Sequence, residues 1–132
     1  MKNKIKTSLI ALSAATAAVA QTEKPNVILI LADDLGWGDL SCYGANRVST
    51  PCVDNLANNG IRFTNAHAPA STSTPSRYGI LTGNYPFRKR GTDVAAGNAG
   101  MIISPDQYTL ADVFQNAGYQ KAAIGKWHLG LG

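Results

Sequence analysis

Val27-Ile28-Leu29-Ile30-Leu31-Ala32 runs straight into Asp33-Asp34. Six apolar residues in a row leave neither face of an extended segment polar, so the run predicts a strand covered on both sides, as in a parallel sheet flanked by helices. The carboxylate pair ends it, and Gly36, Gly38 and Gly44 follow in a loop. Thr50-Pro51 then supplies an N-cap and a proline at the first helical position. Val53, Leu56 and Ala57 form the apolar stripe of that helix, and Gly60 closes it. Ile61-Arg62-Phe63-Thr64 alternates as a second strand, ahead of a Ser/Thr/Pro-rich loop over 66–76. A helix from Pro75 to about Leu81, stopped by Gly83, comes next. The stretch 84–107 is a polar excursion with little periodicity. Thr109 caps a last amphipathic helix (Leu110, Val113, Phe114, Ala117) ended by Gly118, and residues 119–124 return as a strand. Strand and helix alternate, which predicts an α/β fold with a mainly parallel sheet.

The whole chain has 132 residues, 45% of them hydrophobic, with 12 Lys+Arg against 8 Asp+Glu. Three of the positive charges (Lys2, Lys4 and Lys6) precede the apolar run 8–20, which ends in Ala18-Val19-Ala20. That order of basic, apolar and small-residue segments predicts a signal peptide over residues 1–20, cleaved before Gln21. The run is short and Ala/Ser-rich for a membrane span, so no lasting membrane insertion is expected. Export implies a periplasmic or secreted protein. Without the leader, 9 Lys+Arg face 8 Asp+Glu, a balance that argues against a nucleic-acid partner. Cys42 and Cys52 are ten apart, a spacing compatible with one disulfide in an oxidising compartment or with two buried free thiols.

Ligands of open parallel sheets bind beyond the carboxyl ends of strands, where loops and helix N-termini converge. Three polar clusters fall at such places. Asp33-Asp34 ends the first strand, Ser73-Thr74-Pro75-Ser76-Arg77 opens a helix, and Lys126-Trp127-His128 ends the last strand. Adjacent carboxylates suit a hard cation bound through oxygen, and a helix start favours an anion. Taken singly, each cluster has a plain structural reading: a solvated acidic loop, a capped helix, a hydrogen-bonded histidine.

Together the clusters resemble the sulfatase family. Ser73-Thr74-Pro75-Ser76-Arg77-Tyr78-Gly79-Ile80-Leu81-Thr82-Gly83 matches its Cys/Ser-x-Pro-Ser-Arg-x-x-x-Leu-Thr-Gly signature. Pro25-Asn26-Val27 through Asp33-Asp34-Leu35-Gly36 resembles the first strand and metal loop, and Gly125-Lys126-Trp127-His128-Leu129-Gly130 the third motif. The resemblance spans residues 24–132 and points to the arylsulfatase-like, serine-type branch. It implies the alkaline-phosphatase-like α/β/α sandwich, of which residues 21–132 are the N-terminal portion.

The resemblance implies that Ser73 is converted to formylglycine (3-oxoalanine) by a radical S-adenosylmethionine maturating enzyme. The hydrate of that group then supplies the attacking oxygen, since an unmodified serine is a poor nucleophile without an activating base. By the same resemblance Asp33, Asp34 and the modified Ser73 bind Ca²⁺, in preference to Mg²⁺. Arg77, one helical turn on, reaches back to the modified side chain. Lys126 neutralises sulfate and nucleophile, and His128 takes the proton of the second hydroxyl. Pro75 is expected at the helix start, the Ser76 hydroxyl on the modified residue or a helix N–H, and Trp127 in packing. The substrate class implied is a sulfated carbohydrate or aryl sulfate. Further metal ligands, an Asp-Asn or Asp-His pair with a later His and Lys, are expected beyond residue 132, so the 132-residue chain alone is expected to be an inactive fragment. The competing readings are a phosphoesterase or phosphonate hydrolase of the same superfamily, and a non-catalytic protein that binds sulfated glycans.

Overall fold

The computed structural model describes residues 23–132, so the expected signal peptide lies outside the described residues. The chain divides into two units, Met1–Leu31 and Ala32–Gly132. In the described part of the first unit, the run from Val27 to Leu31 forms no helix or strand, and its side chains are exposed.

The second unit carries three helices: α1 (Pro51–Asn59), α2 (Ser73–Thr82) and α3 (Leu110–Asn116). Short 3₁₀ turns lie at Trp37–Asp39, Ser41–Tyr43 and Pro86–Arg88. Pro51 stands at the start of α1, where a missing N–H costs no helical hydrogen bond. Thr50 accepts the first helical bond through its carbonyl, while its hydroxyl pairs with Ser41 Oγ at 2.8 Å. Ser41 Oγ also lies 2.6 Å from Asp54 Oδ2, so a 3₁₀ turn and α1 share one hydroxyl–carboxylate knot. Helix α2 starts two residues earlier than Pro75, which places that proline in the first turn, still free of any need for an N–H donor. Gly83 stops it in the left-handed conformation (φ 67°), its N–H on the Gly79 carbonyl at 2.9 Å. Helix α3 ends as the sequence predicts. Gly118 N–H reaches Gln115 O and Tyr119 N–H reaches Phe114 O, both at 2.9 Å, around a Gly118 φ of 79°.

The expected parallel sheet does not form among the described residues. Residues 27–32, 61–64 and 119–124 carry no ladder, and the one pairing among the described residues is an isolated parallel bridge between Gly100 and Leu131. Strands exist only as pairs, and an apolar run acquires burial only from cover on both faces. The described residues offer these runs neither: Ile61 is 84% and Ile124 97% exposed. The stripe on α1 is likewise open, with Val53 and Leu56 exposed.

The core sits elsewhere, in Tyr78 of α2, Ile103 and Leu129, with Leu81 and Ile102 packed against it. The stretch 84–107 is therefore not a plain polar excursion. Thr92 is buried with its hydroxyl on Pro86 O (2.7 Å) and Lys89 O (2.9 Å), and Lys89 Nζ lies 2.8 Å from Ile102 O and 5.4 Å from the Tyr78 ring centroid. Ile102 N–H to Leu129 O (2.9 Å) and Leu131 N–H to Ala99 O (3.1 Å) lace this stretch to the 125–131 loop. Gly130 makes that approach possible. Its φ is 77°, and a β-carbon there would sit 1.9 Å from Gly100 O. The core thus holds the 125–131 loop against α2, which is what positions the site.

Candidate active site

Ser73 is the first residue of α2, and Arg77 lies one turn further along the same face. Arg77 Nε donates to Ser73 Oγ at 2.8 Å, Nη1 to Lys126 O at 2.6 Å, and Nη2 reaches Asp33 Oδ1 at 3.4 Å. Lys126 Nζ closes the cluster on Asp33 Oδ2 at 2.6 Å. One guanidinium therefore spans all three sequence motifs, its fork shape making several directed bonds at once. The Arg77 side chain is only 12% exposed, against 38% for Asp33 and 49% for Lys126. The hydrogen bond from Lys126, with the positive charges of Lys126 and Arg77, holds the Asp33 carboxyl below its ordinary range, against a weaker opposing effect of burial.

Asp34 and His128 have φ of 56° and 55°, the only non-glycine residues among those described with positive φ. Both were singled out by sequence. Both residue types tolerate this conformation better than most, yet it costs about 1–3 kcal/mol and persists only where the surroundings hold it. What holds His128 is Thr74, completely buried, whose hydroxyl donates to the His128 carbonyl at 3.0 Å. The His128 ring Nε2 lies 3.0 Å from Ala95 O, and its Nδ1 is buried with no partner among the described residues.

Two expectations are revised and one open alternative is resolved. The Ser76 hydroxyl donates to Ala70 O at 2.6 Å, tying α2 to the preceding loop and not to Ser73. Trp127 is exposed, its indole N–H on Gly130 O at 2.9 Å, so it shapes the loop more than it packs. Cys42 and Cys52 are both free thiols. Sequence reasoning passed over Thr74 and Ala95. The hydroxyl at the variable second position of the signature is the only trace Thr74 leaves in sequence, and Ala95, acting through its backbone, leaves none.

Among the described residues no group of three or more His, Cys, Asp and Glu side chains gathers as a metal centre. The oxygens of Asp33 and Ser73, both bonded to Arg77, and of Asp34 next along the chain are nevertheless donors of the hard type that Ca²⁺ or Mg²⁺ takes, and Asp33 already attracts the two cations nearest it. Three donors are fewer than the six to eight ligands usual for Ca²⁺, so the set fits as part of a site. Two open clefts, of about 450 Å³ beside Cys42, Asp54 and Arg62 and about 730 Å³ along residues 89–105, include neither Ser73 nor Asp33 in their walls.

Comparison with known proteins accounts for this arrangement. An N-acetylgalactosamine-6-O-sulfatase of Bacteroides thetaiotaomicron is 58% identical over 111 residues, covering 84% of this chain and 22% of its own length. Human arylsulfatase A is 44% identical over 124 residues, covering 92% of this chain and 24% of its own length. A solved structure, from work on glycosaminoglycan metabolism by Bacteroides thetaiotaomicron, superposes with a TM-score of 0.82 at 58% identity, over 84% of this chain and 23% of the other. The chain thus spans about a fifth to a quarter of the length of these relatives. The sulfatase family model matches residues 25–132, the same span that carries Asp33, Ser73, Arg77, Lys126 and His128, and the chain belongs to the sulfatase family.

Proposed function

We propose that this chain is the N-terminal portion of the catalytic domain of an exported sulfatase, which hydrolyses sulfuric esters of a sulfated glycan or aryl sulfate. The observation that carries the reading is Arg77, which joins Ser73 Oγ, the Lys126 carbonyl and Asp33 in one cluster within a family-matched span. In the longer protein the apolar runs 27–32, 61–64 and 119–124 become strands of an α/β/α sandwich once neighbouring strands and helices cover them. Residues 1–20 are its signal peptide, removed on passage to the periplasm or medium.

In this reading Ser73 is matured to formylglycine by a radical S-adenosylmethionine enzyme. The modified residue supplies a hydrated aldehyde as nucleophile at a position where serine itself would be sluggish. Asp33, Asp34 and residue 73 supply part of the ligands of a Ca²⁺ ion, which contributes Lewis acidity toward the sulfate oxygens. Arg77 holds the side chain of residue 73 in place, and its charge with that of Lys126 favours an anionic ester group. His128 accepts a proton during turnover. The name of the bacterial relative makes a 6-O-sulfated N-acetylgalactosamine the first substrate to try.

The test is the full-length protein, co-expressed with a maturating enzyme and assayed on that sugar, an aryl sulfate and an aryl phosphate. Sulfate release, with the residue-73 peptide lighter than its serine form by two hydrogens, is the expected result. Preference for phosphate would favour a phosphoesterase. Unmodified Ser73 with tight glycan binding and no turnover would favour a binding protein.

A further inference from the structure

Thr74, Ala95 and His128 close a ring of hydrogen bonds that no catalytic role yet absorbs. Ala95 N–H donates to Thr74 Oγ1 at 3.0 Å, and Thr74 Oγ1 donates to His128 O at 3.0 Å. His128 Nε2 returns to Ala95 O at 3.0 Å. A carbonyl oxygen only accepts, so Nε2 carries the hydrogen. Nδ1 is buried with no partner among the described residues, and a proton there would place an unpaired charge out of water. The geometry thus puts hydrogen on Nε2 and leaves Nδ1 as the open ring nitrogen.

We propose that Thr74 is a positioning residue which, with the Ala95 backbone, fixes His128 as the Nε2–H tautomer and makes Nδ1 its proton-accepting atom. This rests on the reading of His128 as the base. In the step concerned, the O–H bond of a reacting hydroxyl breaks, its electron pair stays on oxygen, and an N–H bond forms at Nδ1. The ring's positive charge is then shared with the Nε2–H held on Ala95 O, and the proton later leaves with the released product. Thr74 follows Ser73 directly, so the helix turn that presents the nucleophile position also anchors the backbone of the base. Its full burial and its two bonds use both the donor and an acceptor site of the hydroxyl. The left-handed backbone of His128 is what such an anchor has to hold.

Nitrogen NMR of the full-length protein labelled with ring-¹⁵N histidine tests this without reference to turnover. The wild type is expected to show His128 with hydrogen on Nε2. Thr74→Ser should keep that signature and near-wild-type kcat. Thr74→Val, which removes the hydroxyl, should give a mixed tautomer signal and a kcat lowered on the order of 100-fold, the range of a displaced general base, with KM changed far less. Hydrogen on Nδ1 in the wild type overturns the proposal even if Thr74→Val does not fold. So does a folded Thr74→Val with unchanged signal and kcat. His128→Gln separates the two levels: full turnover in that variant sinks the base reading itself, whereas its loss beside an unaltered Thr74→Val sinks only the positioning role.

Discussion

Ser73 and Arg77 are coupled by a single 2.8 Å bond, so each has a distinct expected phenotype. Ser73→Ala in the full-length protein should abolish sulfate-ester hydrolysis while leaving the melting temperature within a few degrees. The lost hydroxyl gives up one part-buried bond, that from Arg77 Nε, and a typical hydrogen bond of this kind contributes about 0.5–1.5 kcal/mol. Turnover by a verified Ser73→Ala preparation would contradict the assignment. Arg77→Lys keeps the charge but cannot reach Ser73, Lys126 O and Asp33 together, because an ammonium is a point donor and not a fork. Its expected cost is about 100-fold in kcat/KM, read by steady-state assay, and an Arg77→Lys enzyme with wild-type kinetics would argue against the clamp.

Helix α3 is anchored by a carboxylate. Asp112 Oδ2 accepts from Thr109 N–H at 2.8 Å and from Thr109 Oγ1 at 2.7 Å. These bonds, led by the hydroxyl, hold the Asp112 carboxyl below its ordinary value. A carboxylate whose folded pKa is lowered contributes its stability in full above the unfolded value, near 3.8, and loses it as pH falls through the lower folded value. Acidification across that window should fray α3, and Asp112→Asn should flatten that part of the pH dependence, as followed by amide exchange of residues 110–116. The 125–131 loop depends on Gly130 in a different way. With φ at 77° and Gly100 O 1.9 Å from a would-be β-carbon, Gly130→Ala should break the Gly100–Leu131 bridge and destabilise by more than about 1 kcal/mol. Because that loop delivers Lys126 and His128, activity of the full-length variant should fall with it.

Across the whole molecule, the buried hydrophobic core of the described residues is Tyr78, Ile103 and Leu129, while Ile28, Ile30, Ile61, Phe63 and Ile124 lie open. So much uncovered apolar surface predicts that residues 21–132 expressed alone bind a hydrophobic dye, melt without a sharp cooperative transition and release no sulfate. A sharp transition raised several degrees by calcium, with turnover, would show the opposite. The motifs were legible in sequence because their chemistry is local. A strand-end carboxylate pair, a Ser-x-Pro-Ser-Arg helix start and a Lys-x-His loop keep their residue types wherever the chain goes, and helix boundaries follow caps and glycines within a few residues. The α1, α2 and α3 stops at Gly60, Gly83 and Gly118 were legible for that reason. Sheet formation was not, because a strand needs a neighbour that periodicity cannot supply. Nor was the role of residues 92–103, whose buried Thr92 and Ile103 sit in a stretch without period. The sequence by itself determined that the three motifs belong to one family and which side chains are the candidates for its chemistry. Only the tertiary structure decided that one arginine joins three distant motifs, and that Thr74 and Ala95 both bond to His128, because those bonds span 21 to 54 residues and three of them end on backbone carbonyls that every residue type possesses.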